Sequence, residues 1–201
     1  SVDTKLEYTD NSGITSAKFL KLAKVGFLNM YNNQGLKILA FDKLNVITDK
    51  IYADYHNALE ELSFTSLRQV NASIRIEDES VDMGTGTNSI MFRRCNKLKR
   101  VEFSALEEVK NDLRIRYERY ATSIKFPKLK RVGDNLVVYR ADRLPELSFP
   151  LLEETKNLEV SLNYKLTNAE FPLLESNSGY GYLASNTILA NVTLGQKQIG
   201  K

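Results

Sequence analysis

One pattern is repeated three times in residues 104–171: SALEEVKNDLRIRYERYATSIKF (104–126), PKLKRVGDNLVVYRADRLPELSF (127–149) and PLLEETKNLEVSLNYKLTNAEF (150–171). Each copy has Leu-x-x-Val or Leu-x-x-Thr, then Leu-x-Val or Leu-x-Ile, and ends on a phenylalanine two positions after an apolar residue or alanine. A fixed period of 22–23 residues is typical of a solenoid, in which successive coils stack on one another.

The same period extends in both directions from this stretch. The closing position of each coil is occupied by Phe19, Phe41, Phe64, Phe103, Phe126, Phe149, Phe171 and then Leu194. The step from Phe64 to Phe103 is 39 residues, which is one coil of 23 plus an excess of 16. We place the excess between Ile76 and Ile90, through the acidic and Gly/Thr-rich segment 77–89, and predict an inserted loop there.

Within a coil the apolar residues alternate as in strands. Leu113 and Ile115, and Leu136 and Val138, fit a half-buried strand with every second side chain inward. We therefore predict an all-β, right-handed solenoid of short parallel strands with about seven to eight coils. It forms a single domain over 1–201, with 1–18 as N-terminal cap and 176–201 as C-terminal coil and cap.

Proline and asparagine mark the corners of the coils. Pro127, Pro150 and Pro172 each follow a closing phenylalanine directly, where a missing N–H can end a strand. Asn33 and Asn163 lie eight residues before a closing phenylalanine, where an amide can bond to turn backbone. Other coils carry different residues there, so we expect no continuous asparagine ladder.

Composition bounds the function classes. The 201 residues are 42% hydrophobic and 26% charged, with a net charge of +3, which is too small to indicate nucleic-acid binding. The sequence shows neither an apolar run of membrane-helix length nor a leader at its start, so we predict no transmembrane segment. Its single cysteine, Cys95, excludes an internal disulfide, and we expect a small, semi-buried residue, with a reactive thiol as the alternative.

Candidate catalytic residues are few. His56 is the only histidine, which excludes a metal site built on several histidines, and we predict a surface position at a turn. The pairs Glu107-Glu108 and Glu153-Glu154 could suggest glycoside hydrolysis, but their recurrence at the same place in two coils favours a solvated corner. We therefore expect neither catalysis nor a cofactor or metal.

A row of tyrosines and arginines falls on the outward positions of the first strand in each coil. The outward ladder is Asn29 and Tyr31, Tyr52 and Asp54, Arg75 and Glu77, Met91 and Arg93, Arg114 and Arg116, Val137 and Tyr139, Glu159 and Ser161, and Tyr182. Tyrosine and arginine are enriched at binding hot spots, although they also suit exposed strands. Our candidate ligand-binding residues are Tyr31, Tyr52, Arg75, Arg93, Arg114, Arg116, Tyr139 and Tyr182.

The stretch FPKLKRVGDNLVVYRADRLPELSFPLLEE (126–154), with Phe-Pro-x-Leu, Val-Gly-x-Asn-Leu and a final Leu-x-Phe, resembles the leucine-rich repeats of the receptor L-domain class. It is also similar to bacterial cell-surface leucine-rich-repeat proteins, over roughly Phe19 to Leu194. The resemblance implies a secreted or surface-displayed binding and adhesion module without catalysis. The missing cysteines depart from the animal receptor pattern and favour a microbial surface protein.

We therefore expect a non-catalytic module that binds a protein or glycan at the cell surface or outside the cell, not nucleic acid. One alternative is a carbohydrate-active enzyme, since parallel β-helices also carry carbohydrate-cleaving sites. Another is a structural spacer of a larger surface protein.

Overall fold

The fold is a parallel β-solenoid of about eight turns, which confirms the predicted all-β architecture. The computed structural model describes residues 5–77 and 90–195. Within these ranges the chain forms strands and no helix, and so contains no helix of membrane-spanning length.

Twenty strands follow one another along the described chain. In order they are β1 (Lys5–Thr9), β2 (Ser16–Phe19), β3 (Lys24–Tyr31), β4 (Ile38–Phe41), β5 (Val46–Asp54), β6 (Glu61–Phe64), β7 (Gln69–Val70), β8 (Ile74–Glu77), β9 (Ile90–Arg93), β10 (Arg100–Phe103), β11 (Glu108–Val109), β12 (Leu113–Arg116), β13 (Ser123–Lys125), β14 (Arg131–Tyr139), β15 (Glu146–Ser148), β16 (Glu154–Ser161), β17 (Asn168–Phe171), β18 (Ser176–Asn177), β19 (Gly181–Ala184) and β20 (Asn191–Leu194).

The strands form three parallel sheets. Sheet A has twelve strands, which include the short corner strands β7, β11 and β18. Sheet B runs β2, β4, β6, β10 and β13, and sheet C continues the same side of the solenoid with β15, β17 and β20. A coil therefore passes from a corner through sheet A and then through sheet B or C.

The closing phenylalanines stack into one column through the core. Successive rings from Phe19 to Phe171 lie 4.6–5.7 Å apart between centroids, with planes within 15° of each other. From Phe41 to Phe171 these side chains are buried, as are the leucines and isoleucines at the inward positions of sheet A from β8 to β16. Because each coil alone could not bury such a face, stacking of identical positions stabilises the fold.

The long coil adds a second strand to sheet A. Strand β9 lies between β5 and β8, and β8 in turn pairs with β12. In sheet B, by contrast, β10 pairs directly with β6. The excess residues therefore widen one side of the solenoid only. The predicted loop at 77–89 begins at the last residue of β8, and 78–89 lie outside the described residues.

Each described strand that crosses sheet A is followed by a residue with positive φ, except β8, whose next residue is not described. These residues, with φ between 49° and 62°, are Asp10, Asn32, Tyr55, Arg94, Tyr117, Arg140, Leu162 and Ser185. The left-handed conformation turns the chain sharply towards the next side of the coil. The backbone N–H of this residue usually donates to the strand of the following coil, as from Asn32 to the oxygen of Asp54 (3.0 Å).

Candidate functional site

The predicted outward ladder exists as two rows on the outer face of sheet A. Register pairing places Glu7, Asn29, Tyr52, Met91, Arg75, Arg114, Val137, Glu159 and Tyr182 in row 1. It places Thr9, Tyr31, Asp54, Arg93, Glu77, Arg116, Tyr139, Ser161 and Ala184 in row 2. The positive-φ residues that follow the strands form row 3 beside them.

The spatial order differs from the sequence order at one place. Since β9 precedes β8 in the sheet, Met91 lies between Tyr52 and Arg75, and Arg93 lies next to Asp54. The tyrosines and arginines from β3 to β14 are brought together on neighbouring strands. Tyr182 is on row 1 but stands apart from them, in the last coil and 51% exposed.

A buried carboxylate organises the first half of the face. Asp54, only 1% exposed, accepts hydrogen bonds from the Tyr52 hydroxyl (2.8 Å), the Tyr55 backbone N–H (2.9 Å) and Arg94 Nε (2.8 Å). Arg94 also forms an ion pair with its second oxygen, and its guanidinium lies 3.5 Å from the centre of the Tyr55 ring. The bond to Asp54 raises the pKa of Arg94, and burial together with Asp54 raises the pKa of Tyr52.

Tyr55 in turn packs against Tyr31 in a T-shaped pair, with ring centroids 5.4 Å apart and planes at 79°. Arg93 Nη1 donates to the Tyr52 hydroxyl at 3.4 Å. Three coils thus contribute to one polar and aromatic cluster, whose side chains are held in place before any ligand arrives.

The middle of the face is organised by Asp112, which directly precedes β12. Its Oδ2 lies 3.5 Å from Arg75 Nη2 and 3.3 Å from Arg114 Nη2. Its Oδ1 accepts a hydrogen bond from the side chain of Asn135 (2.6 Å). Because both guanidinium groups are largely covered, these pairs fix two adjacent arginines side by side.

A second aromatic cluster lies beyond these arginines. The guanidinium of Arg116 is 5.3 Å from the Tyr139 ring centre and 5.5 Å from that of Tyr117, and the two rings contact each other edge to face. Arg140 approaches Tyr117 at 5.7 Å. Cation–π contacts with these two rings orient Arg116 on the surface of the sheet.

We call this surface the Arg–Tyr face. It comprises Tyr31, Tyr52, Asp54, Tyr55, Arg75, Glu77, Arg93, Arg94, Asp112, Arg114, Arg116, Tyr117, Tyr139 and Arg140. Six of these described residues are arginines and three are carboxylates, so the face carries a positive excess.

Sequence reasoning missed the row 3 members of this face. Tyr55, Arg94, Tyr117 and Arg140 follow the strands directly, whereas the predicted ladder contains only strand positions. Their recurrence as tyrosine or arginine directly after the strand was the available signal. Asp112 was also missed, since a carboxylate one position before a strand gives no indication of the two arginines that it holds.

His56 is buried, and its predicted surface position is wrong. It is 0% exposed and occupies the column eight residues before the closing phenylalanine, where Asn33 lies in the previous coil. Its Nδ1 accepts the backbone N–H of Asn33 at 3.3 Å. The amide oxygens of Asn33 and Asn163 have the same role, since they accept the backbone N–H of Asn11 and of Ala141. Burial lowers the pKa of His56 below its ordinary value, so the ring is a neutral core group.

Cys95 occupies the same column one coil further on and is fully buried rather than semi-buried. Its thiol lies 3.4 Å from the Arg93 carbonyl oxygen. A fully buried thiol is not accessible to reagents, which favours the structural interpretation over the reactive one.

The recurring glutamates lie at a charged corner. Glu107 and Glu108, Lys130 and Arg131, and Glu153 and Glu154 surround one surface groove on three successive coils. Arg131 contacts Glu154 at 2.9 Å, and Glu108 accepts a hydrogen bond from Gln69 at 2.8 Å. Since a basic coil separates the two acidic ones, the glutamates recur because opposite charges alternate along the stack.

Comparison of the chain with family models, with curated proteins and with solved structures finds no match.

Proposed function

We propose that this protein is a non-catalytic binding module and that the Arg–Tyr face recognises an acidic protein or glycan. The observation that carries the proposal is the preorganised array of arginines between the Asp54 cluster and the Arg116 cluster. Planar guanidinium groups bind carboxylate and sulfate oxygens through paired hydrogen bonds, and tyrosine offers rigid contact area at low entropic cost.

The fixed geometry supports recognition rather than general charge attraction. Arg94, Arg75 and Arg114 are each held by a carboxylate, and Arg116 lies near two tyrosine rings. Binding to such side chains loses little rotamer freedom, which raises affinity for a ligand of matching shape.

We further propose that the solenoid is related to the leucine-rich repeats of the receptor L-domain class and works at the cell surface or outside the cell. The support is the pattern in residues 126–154 together with parallel coils of the same length. A carbohydrate-active enzyme would need acidic side chains on adjacent outward positions. On the described rows, arginines stand between the acidic residues Asp54, Glu77 and Glu159.

The test is binding to arrays of glycans and extracellular proteins with two matched triple variants. One carries Arg114→Ser, Arg116→Ser and Arg140→Ser on the Arg–Tyr face. The other carries Lys18→Ser, Lys125→Ser and Lys128→Ser, which removes the same charge from exposed positions on other sides.

We expect binding by the unchanged protein and the lysine variant, and loss of binding in the arginine variant with its thermal transition intact. Equal loss in both would indicate unspecific charge attraction. Binding that survives in the arginine variant places the site elsewhere, and no binding by the unchanged protein favours a structural spacer.

A further inference from the structure

The first and last described coils leave apolar core positions open. In the last coil Val192 and Leu194 are 46% and 47% exposed, although their register partners Ala169 and Phe171 are fully buried. In the first coil the core positions Tyr8, Ala17 and Phe19 are only partly buried. They line a groove of about 220 Å³ at that end of the solenoid.

The last coil also lacks the charges that usually protect an open sheet edge. Residues 181–195 contain no Asp, Glu, Lys or Arg, whereas every earlier coil carries several. Within the described residues β19 and β20 each pair on one side only, with β16 and β17. An uncharged, partly apolar edge of this kind is a template for further strand pairing.

We propose that the protein associates end to end with a second copy of itself, the last coil of one molecule stacking on the first coil of the next. The two ends have the same spacing between their strands, because Gly181 to Asn191 and Leu6 to Ser16 are equal separations along the chain. Stacking therefore continues the parallel register of both sheets across the junction, with β19 against β1 and β20 against β2.

The side chains at the junction are complementary in size and polarity. Gly181 faces Leu6 of the second copy, Leu183 faces Tyr8, Val192 faces Ala17 and Leu194 faces Phe19, as these positions pair between coils inside the molecule. On the outer surface Tyr182 meets Glu7 and Thr193 meets Lys18, so no like charges oppose each other.

The asparagine column gives the most specific argument. Inside the molecule an asparagine donates its amide to a carbonyl of the preceding coil, as Asn33 does to Tyr8 (2.8 Å) and Asn186 to Val160 (2.8 Å). Its oxygen receives the backbone N–H of the preceding asparagine, as Asn186 does from Asn163 (2.9 Å).

Within the described residues no coil precedes Asn11, and its amide donates to Thr9 of its own coil at 2.9 Å. In the stacked pair, the amide of Asn11 in one copy donates to the Leu183 carbonyl of the other copy, and its oxygen accepts the backbone N–H of Asn186. These bonds repeat those seen within the molecule. The column is asparagine at both ends, although His56, Cys95, Glu118 and Ala141 replace it in the middle. Asparagine is thus present where a junction between copies needs it.

Such a contact joins two different surfaces and repeats with every added copy. A heterologous contact that does not close into a ring produces linear assemblies. The Arg–Tyr face lies along the side of the solenoid, so its rows continue from copy to copy without being covered. This inference does not depend on the function proposed above.

The experiment uses the full chain of 201 residues in sedimentation velocity over a wide concentration range, with three single variants. Val192→Lys blocks the last coil, Ala17→Lys blocks the first, and Val46→Lys adds the same charge at an exposed valine on a side of the solenoid. Circular dichroism and thermal unfolding check that each variant is folded.

We expect the mass of the unchanged protein and of Val46→Lys to increase with concentration. An unpaired ammonium group in the junction should weaken association at least about tenfold in either blocked variant. An equimolar mixture of Val192→Lys and Ala17→Lys should form dimers and nothing larger, because one open end of each kind remains.

A monomeric unchanged protein at all concentrations would overturn the proposal and leave the ends to other segments or partners. Association of Val192→Lys with itself as tight as that of the unchanged protein would also overturn it, since that contact would not use the last coil.

Discussion

Phe64 and Phe103 stack with centroids 4.7 Å apart and planes at 12°, although the longest coil of the chain lies between them. The preceding pair, Phe41 and Phe64, has nearly the same geometry, 4.6 Å and 12°. The column is therefore continuous through the insertion, which the solenoid accommodates by the extra strand β9 on the opposite side. Core stacking on the phenylalanine side is independent of coil length.

The centre of this column should contribute more to stability than its end. Phe103 is fully buried between two rings, so we expect Phe103→Ala to lower the free energy of unfolding by about 3–5 kcal/mol. Phe19 lies in the first coil and is only partly buried, and Phe19→Ala should cost clearly less. Urea unfolding measures both, with Lys125→Ser as a surface control within about 0.5 kcal/mol of the unchanged protein. Equal costs for the two phenylalanines would contradict a continuous buried column.

His56 should make the protein less stable in mild acid. Burial lowers its folded-state pKa below the unfolded value of about 6.5, so the unfolded chain binds more protons below that pH. The contribution of His56 to the free energy of unfolding is complete above about pH 6.5. Below that pH the free energy of unfolding falls by at most about 1.4 kcal/mol per pH unit.

Replacement of His56 by Asn removes this titration and fits the column that Asn33 and Asn163 occupy. We expect the difference in unfolding free energy between the unchanged protein and His56→Asn to shift in favour of the variant from pH 7.5 to 5.5. Two parallel stability curves over this range would show that His56 is accessible to protons in the folded state.

The sequence predicts the fold well because the repeated residues are the buried ones. The period of the phenylalanines and the alternation of Leu113 and Ile115 define both strand position and inward side. The placement of β9 next to β5 could not be predicted, since either of two equally apolar strands could take that position. Burial of His56 could not be predicted either, because its column carries asparagine, cysteine, glutamate and alanine in other coils and so has no constant chemistry.

Asp54 should be a stability centre of the Arg–Tyr face. Its buried carboxylate accepts charge-assisted and neutral hydrogen bonds from Arg94, Tyr52 and Tyr55. Asp54→Asn keeps the size but replaces one acceptor by a donor beside Arg94, and we expect a loss of about 1.5–3 kcal/mol in urea unfolding.

The matched control is Glu102→Gln, an exposed carboxylate on sheet B, which should change stability by less than about 0.5 kcal/mol. If Asp54→Asn were as mild as Glu102→Gln, the cluster would be a surface ion pair of little energetic weight.

Pro145 separates sheets B and C. In other coils the residue at this position donates its N–H to the preceding coil, as Lys99 does to Glu60 (2.8 Å) and Thr122 to Lys99 (2.9 Å). Proline has no N–H, and Pro150 removes a second donor at the other end of the same strand.

Between β13 and β15 the hydrogen-bond ladder is absent, and a cleft of about 320 Å³ lies there. One proline alone is tolerated, since β10 pairs with β13 despite Pro127.

Pro145→Thr should therefore restore a donor to the Thr122 carbonyl and close the ladder between β13 and β15. The new hydrogen bond stabilises the folded state by about 1 kcal/mol. Loss of proline increases the conformational entropy of the unfolded chain, which costs about 0.4–1 kcal/mol of stability, so global stability should hardly change. Local opening should change instead, and we expect amide hydrogen exchange in 146–148 to slow at least about tenfold. Pro127→Thr, at a junction that is already paired, should leave these amides unaffected. Unchanged exchange in Pro145→Thr would mean that the corner formed by Pro150 is sufficient to hold the two strands apart.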